Sequence, residues 1–297
     1  MKKMIIIPLT IAIIVAAIAV VAFWSGFVVR RHNITTDKLE PGQSVRAVLI
    51  SDLHSQVHGD DQSPLIRRID AQNPDLILLA GDMYDDVTPR LGIELFLAGI
   101  RDIAPIFYVT GNHEYWSSDV SAVKELFRSF GVVVLEDEYV EVVINDIPLL
   151  IAGVCDPECS MVGNRGSRPL LQRALHGLGS GESHDLTIMQ QAFGELSRDD
   201  GQFKILIAHR PERIDEYKHF PFDLVVSGHA HGGQVRIPFL VNGIFAPNQG
   251  FFPPYAGGRY DHGSLTHIVS RGATTNHPRL PRIFNPPEIV VIDIIGN

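Results

Sequence analysis

Leu76-Ile77-Leu78-Leu79-Ala80-Gly81-Asp82 is an apolar run that stops at a glycine and a carboxylate. The same arrangement recurs on either side of it. Arg46 to Ile50 leads into Asp52-Leu53-His54, and Ile106 to Val109 leads into Gly111-Asn112-His113-Glu114. Phe203 to Ile207 leads into His209, and Leu224 to Val226 leads into Gly228-His229-Ala230-His231. Short continuous apolar runs bounded by Gly, Pro and polar residues predict strands buried on both faces. In α/β sheets, function sits in the loops beyond the carboxyl ends of the strands. Every one of these Asp, Asn and His residues falls in such a loop.

The residue types are chemically coherent. Carboxylate, amide oxygen and imidazole suit divalent metals such as Mn²⁺, Fe²⁺ or Zn²⁺. No Cys is among them, which argues against a structural zinc knot. In an extended segment, Asp52 and His54 would point the same way, and so would His229 and His231, because strand side chains alternate. Gly81, Gly111 and Gly228 precede ligands and let the backbone turn sharply beside an ion or phosphate. Taken singly, Asp-x-His and Gly-Asp are common in surface loops. Gly-Asn-His-Glu after a strand is more specific, and Gly-His-x-His followed by two glycines more so.

The ordered set D-x-H, G-D, G-N-H-E, H, G-H-x-H resembles the calcineurin-like metallophosphoesterase superfamily, over nearly the whole chain after residue 45. The segments Gly228 to Pro238 and Ser270 to Ile294 look like one branch of it, the bacterial membrane-associated or exported phosphodiesterases. The resemblance implies two divalent metal ions, Mn²⁺ first, with Fe²⁺ or Zn²⁺ next. Asp52, His54 and His231 would hold one and Asn112, His209 and His229 the other, with Asp82 bridging. His113 would be catalytic, acting on the leaving oxygen, and Glu114 would stand behind the ligands. Two cations about 3.5–4 Å apart generate a bridging hydroxide that attacks phosphorus in line. Arg210, Arg271 and Arg282 are candidate phosphate contacts, with ordinary salt bridging as the alternative. Asp85 and Asp86 read as a solvated loop. His58 and His277 are candidates for the pocket mouth.

Met4 to Val29 contains no charged residue and is long enough to cross a bilayer at ~1.5 Å per residue. Lys2 and Lys3 precede it, Arg30 and Arg31 follow it, and Trp24 and Phe27 sit near its end, as interfacial aromatics do. The expectation is an uncleaved transmembrane anchor over 4–29, a tether over 30–44 and one domain over 45–297. A cleaved signal peptide with Ala17-Ile18-Ala19 as its small-x-small site is the alternative. The flanking charges nearly balance. The short N-terminus before a first apolar span favours a domain outside the cytoplasm, on the inner or plasma membrane of a bacterium.

The formal charge of −9, from 25 Lys and Arg against 34 Asp and Glu, argues against a nucleic-acid-binding surface. A phosphorylated small molecule or a lipid-linked substrate fits better, and no protein partner is implied. Cys155 and Cys159 could be a local disulfide or two free thiols. The Gly- and Ser-rich stretch between Cys155 and Gln202, with a helix over Pro169 to Leu178, is the expected seat of specificity. A second such place is Phe239 to Tyr260, whose aromatics either pack or form an apolar mouth facing lipid.

The expected fold is α/β, a four-layer α-β-β-α sandwich of two mixed sheets preceded by one transmembrane helix. The layering is what the resemblance implies; strand–helix alternation supports α/β independently. The expected function is a membrane-anchored two-metal phosphodiesterase or pyrophosphatase. The alternatives are a UDP-2,3-diacylglucosamine pyrophosphatase of lipid A synthesis, which would have to face the cytoplasm, and a non-catalytic scaffold that keeps the fold.

Overall fold

Val45, Ala47 and Leu49 face one layer and Val48 and Ile50 the next, so a single strand, β2 (Ser44–Ile50), serves two cores. That period-2 sorting of an all-apolar run marks a strand covered on both sides. In the computed structural model, which describes residues 2–117, 119–164, 184–198, 200–275 and 281–297, β2 lies in a six-stranded mixed sheet. It runs parallel to β3 (Leu76–Ala80), followed by β4 (Ile106–Val109) and β5 (Val133–Val134). On its other side it pairs antiparallel with β14 (Glu288–Gly296), which in turn pairs parallel with β1 (Val28–Thr36).

The second six-stranded sheet is also mixed, in the order β12 (Gly258–His262), β13 (Leu265–Val269), β9 (Leu224–Ser227), β8 (Phe203–Ile207), β7 (Ile147–Gly153), β6 (Glu138–Ile144). The two sheets pack face to face through Leu49, Leu78 and Phe107 on one side and Leu149, Ile205 and Val226 on the other. Helices α2 (Ser63–Asp70), α3 (Leu91–Ile100) and α5 (Val120–Ser129) cover the outer face of the first sheet with Leu65, Ile69, Phe96 and Phe127. The second sheet is covered by α6 (His184–Phe193) and α7 (Ile214–Tyr217) through Met189, Phe193 and Ile214. The four layers match the expectation. The helix expected over Pro169 to Leu178, and His277, lie outside the described residues.

The N-terminal boundary differs from the sequence reading. Helix α1 runs Lys2–Ala22, and residues 28–36, given there to the end of the span and the tether, form the edge strand β1. Its nine residues pair in register with Glu288 to Gly296. Arg46 and Arg31 both reach Asp293, so charge as well as backbone ties this edge together. Among the described residues, no helix is long and apolar enough to cross a membrane. Cys155 and Cys159 are free thiols.

Candidate metal centre

The loops leaving β2, β3 and β9 turn left-handed at once: φ is 52° at Asp52, 50° at His54, 50° at Asp82, 66° at His229 and 48° at His231. The extended geometry expected for Asp52-x-His54 and His229-x-His231 is therefore absent. Non-glycine residues in this region carry strain that the surroundings must hold in place, and such residues cluster at functional sites. Here the holding bonds are visible. Asp52 N donates to Gly81 O and His54 N to Asp82 O, each at 3.0 Å. His229 N donates to Asp52 Oδ1 at 3.0 Å, linking the two sheets.

Close approach explains two of the glycines. A Cβ at Gly228 would sit 2.6 Å from Asp52 Oδ2, and one at Gly111 would collide with Asp82 Oδ1.

The turned loops bring the expected side chains together in two overlapping groups. Asp52, His54, Asp82 and His231 form one, and Asp82, His209 and His229 the other; within each, one ligand atom per residue lies within 4.8 Å of the rest. Asp82 belongs to both. His209 Nε2 lies 3.2 Å from Asp82 Oδ2 and 3.2 Å from His229 Nδ1. His54 Nε2 lies 3.3 Å from His231 Nε2. Ring nitrogens turned toward each other across a buried space are placed to share a cation.

Asn112 lies at the start of α4 (Asn112–Trp116), and its buried Oδ1 meets no hydrogen-bond donor among the described residues. A buried, unpartnered carbonyl oxygen is costly unless something else satisfies it. This donor set fits two divalent cations, with Asp82 able to serve both; the metal's identity is not fixed by it.

Electrostatics suit that arrangement at Asp82 and His229 and oppose it at His209. Burial disfavours charge on Asp82, but His209 and His113 outweigh it and hold the carboxyl well below the usual range. Burial also opposes charge on His209, yet Asp82 raises it to about 10, so a cation bound there has to displace a proton. Burial, helped by Arg210 and His209, keeps His229 neutral, the form in which imidazole binds metal.

Asp85 and Asp86 do not form the solvated loop expected of them. Asp85 is buried, with Oδ2 3.2 Å from both His54 Nδ1 and His113 Nδ1, and its Oδ1 accepts from Val87 N and Thr88 N. Asp86 Oδ1 lies 2.9 Å from His113 Nδ1. The available signal was spacing: Asp85 follows Asp82 by three residues in one short loop. Burial opposes a charge on His113, but Asp82 and the two carboxylates raise it well above the ordinary histidine value.

Glu114 is fully buried behind the ligands. It accepts from Gly111 N and Asp82 N on one oxygen and from Met83 N and Tyr84 N on the other, clamping the loops after β3 and β4 together.

The three arginines named from sequence all bond within the protein. Arg210 makes a buried two-point pair with Asp156, at 2.6 and 2.9 Å. Arg271 pairs with Glu288 at 3.0 Å, and Arg282 donates to Arg271 O at 2.7 Å. His58 is buried edge-on against Phe27.

Comparison with known proteins places this geometry. The family model described as calcineurin-like phosphoesterase matches residues 45–233. An uncharacterised metallophosphoesterase of Aquifex aeolicus is 29% identical over 90% of this chain and 92% of its own length. One of Campylobacter jejuni is 29% identical over 86% of this chain, which spans 60% of that protein. A transmembrane protein with a metallophosphoesterase domain from Danio rerio is 26% identical over 82% of this chain, which spans 55% of it. With a family-model match over most of its length and an Asp/His donor cluster at its own strand ends, this chain is a metal-dependent phosphoester hydrolase and belongs to the calcineurin-like phosphoesterase family.

Proposed function

We propose that this chain is a membrane-attached two-metal phosphodiesterase or pyrophosphatase. Asp52, His54 and His231 hold one cation, Asn112, His209 and His229 the other, and Asp82 serves both. The observation that carries this reading is the membership of Asp82 in both donor groups. Bound cations supply positive charge for the phosphoryl oxygens and acidify water.

The chain's own residues do the rest. Asp85 and Asp86 fix His113 through Nδ1, which leaves Nε2 to give a proton to the leaving oxygen. The carboxylates keep that proton on the ring at neutral pH, the state a general acid needs. Glu114 keeps Asp82 and Asn112 in place by accepting from the backbone N–H of Asp82 itself and of Gly111, just before Asn112. No nucleophilic Ser or Cys stands in the donor set, so no covalent phospho-enzyme is invoked. A scaffold that only keeps the fold has no need of a donor set this complete.

Membrane attachment through α1 is supported by the uncharged, apolar run from Met4 to Ala22 and by the membrane relative named above. The net charge of −9 fits a small phosphorylated or lipid-linked substrate better than nucleic acid. A domain outside the cytoplasm remains the favoured orientation.

Purified full-length chain is expected to carry two divalent metals and to hydrolyse bis-p-nitrophenyl phosphate. Loss of turnover after chelation and its return with Mn²⁺ support the reading. A metal-replete chain without turnover on any phosphodiester, nucleotide sugar or phospholipid would make it a scaffold.

A further inference from the structure

The described side chains of α1 from Leu9 to Val21 are all apolar except Thr10, and every face of the helix is exposed. A helix that is apolar all round is stable inside a core or in hydrocarbon. This domain does not cover it, so it calls for an apolar surrounding of another kind. Its end is fastened to the domain. Ala22 is buried, and its O accepts from Phe284 N at 2.7 Å. Phe23 and Trp24 follow, half exposed.

The segment beside that point is unusual. Ile283 bridges to Val235, and Arg236 N donates to Ile283 O at 2.9 Å. The chain then makes a tight projection closed by Ile237 and Val241, with Phe239 and Leu240 at its tip, 106% and 82% exposed. Next to it, Ile244 N donates to Val235 O, and the ribbon of β10 (Phe245–Ala246) and β11 (Gly250–Phe251) begins. Phe251 and Phe252 on this ribbon are 74% and 67% exposed. Large aromatic and aliphatic side chains clustered on the surface, next to one another, mark an interaction site.

Charge on the same corner is basic in a chain that is acidic as a whole. Arg30 and Arg236 lie around the buried Arg271–Glu288 pair, and Arg259, itself paired with Asp261, donates to Asn33 O on the edge strand. Burial and the nearby Arg271 lower Arg236 to about 10. Exposed apolar tips beside Arg30 and Arg236, at the foot of an apolar helix, fit an anionic bilayer surface: the tips enter the acyl boundary and those two arginines meet headgroups.

We infer that the corner formed by the end of α1, the Ile237–Val241 projection and the β10–β11 ribbon lies on an anionic lipid surface. This rests on the membrane-attached reading above and adds which face meets the bilayer. It bears on substrate as well. The turn of the β10–β11 ribbon carries Asn248, whose Oδ1 lies 2.8 Å from Nε2 of His229 in the metal centre. The ribbon that meets lipid therefore also borders the metal centre, which suits a phosphate ester presented by an amphiphile in the bilayer.

Full-length chain reconstituted in phosphatidylcholine–phosphatidylglycerol vesicles tests this. An added indole at Phe239→Trp, Phe252→Trp or, on exposed β6, Val143→Trp reports local lipid contact through quenching by brominated phospholipid. Emission is read as the difference from the unmodified chain. Quenching of at least twofold at positions 239 and 252, with little at 143, is the expected result. Equal quenching at all three positions, or failure of the chain to float with vesicles, overturns the inference. Burial of positions 239 and 252 without lipid quenching would assign the corner to a protein or a second copy and overturns it too. Turnover of bis-p-nitrophenyl phosphate by the unmodified chain reports on the phosphoesterase reading alone.

Discussion

His113 has its task set by neighbours that sequence order does not advertise. Its ring is held by Asp85 and Asp86, and it clusters with His54 and Asp85, outside the two groups that share Asp82. His113→Ala is therefore expected to keep both metals and lose rate by ~10²–10⁴-fold. The loss should shrink for nitrophenyl esters, whose leaving group needs no proton. Equal losses for alkyl and nitrophenyl esters would remove it from acid catalysis. The ligands themselves were legible because each sits at a strand end in a recognisable motif. Asp85 was not, because burial of a loop carboxylate depends on which histidines the fold swings over it.

Two other histidines matter for stability. Burial lowers His58 to about 4 and His267 to about 3, the latter helped by His262. Both are neutral in the folded chain and take a proton on unfolding below pH ~6.5. The unfolded state then binds more protons, so stability is full above that pH and falls as pH drops toward 4, at up to ~1.4 kcal/mol per pH unit for each group. Urea unfolding at pH 7 and pH 5 should show the drop, and His58→Leu should reduce it by about half, His267 supplying the rest. An equal drop in that variant would place the acid sensitivity elsewhere.

At the scale of elements, β4 and β8 coincide with apolar runs read directly from the sequence. The edge strand β1 was not legible. Its burial is partial, its sequence mixes Val with Arg, His, Asn and Thr, and its partner β14 lies some 260 residues away. Nothing local distinguishes it from a tether. The left-handed turns after β2 and β9 were not legible either, because Asp and His in that conformation are held by long-range bonds such as His229 N to Asp52. A boundary prediction follows. Removing residues 1–25 leaves all nine registered pairs of β1 and should leave the unfolding midpoint nearly unchanged. Removing residues 1–36 strips β14 of one of its two partners and should lower the midpoint by ~10 °C or more, given about 2–4 °C per kcal/mol for a domain of this size. Equal midpoints for the two truncations would show that β1 contributes nothing to the sheet.

The whole molecule explains why residues from Asp52 to His231 meet. Parallel strands of both sheets end at the same rim, and Ser51 after β2 lies against Gly228 after β9. The motif order made the donor set readable, but the pairing of one sheet against the other depends on packing of two apolar faces that are indistinguishable in composition. The central claim is that one carboxylate, Asp82, is shared by two cations. Elemental analysis of purified full-length chain and of Asp82→Asn, with turnover of bis-p-nitrophenyl phosphate measured on the same samples, addresses it directly. Two metals per chain with turnover in the unmodified protein, and fewer than two with turnover lost in the variant, is the predicted result. Two retained metals and full turnover in Asp82→Asn would contradict it.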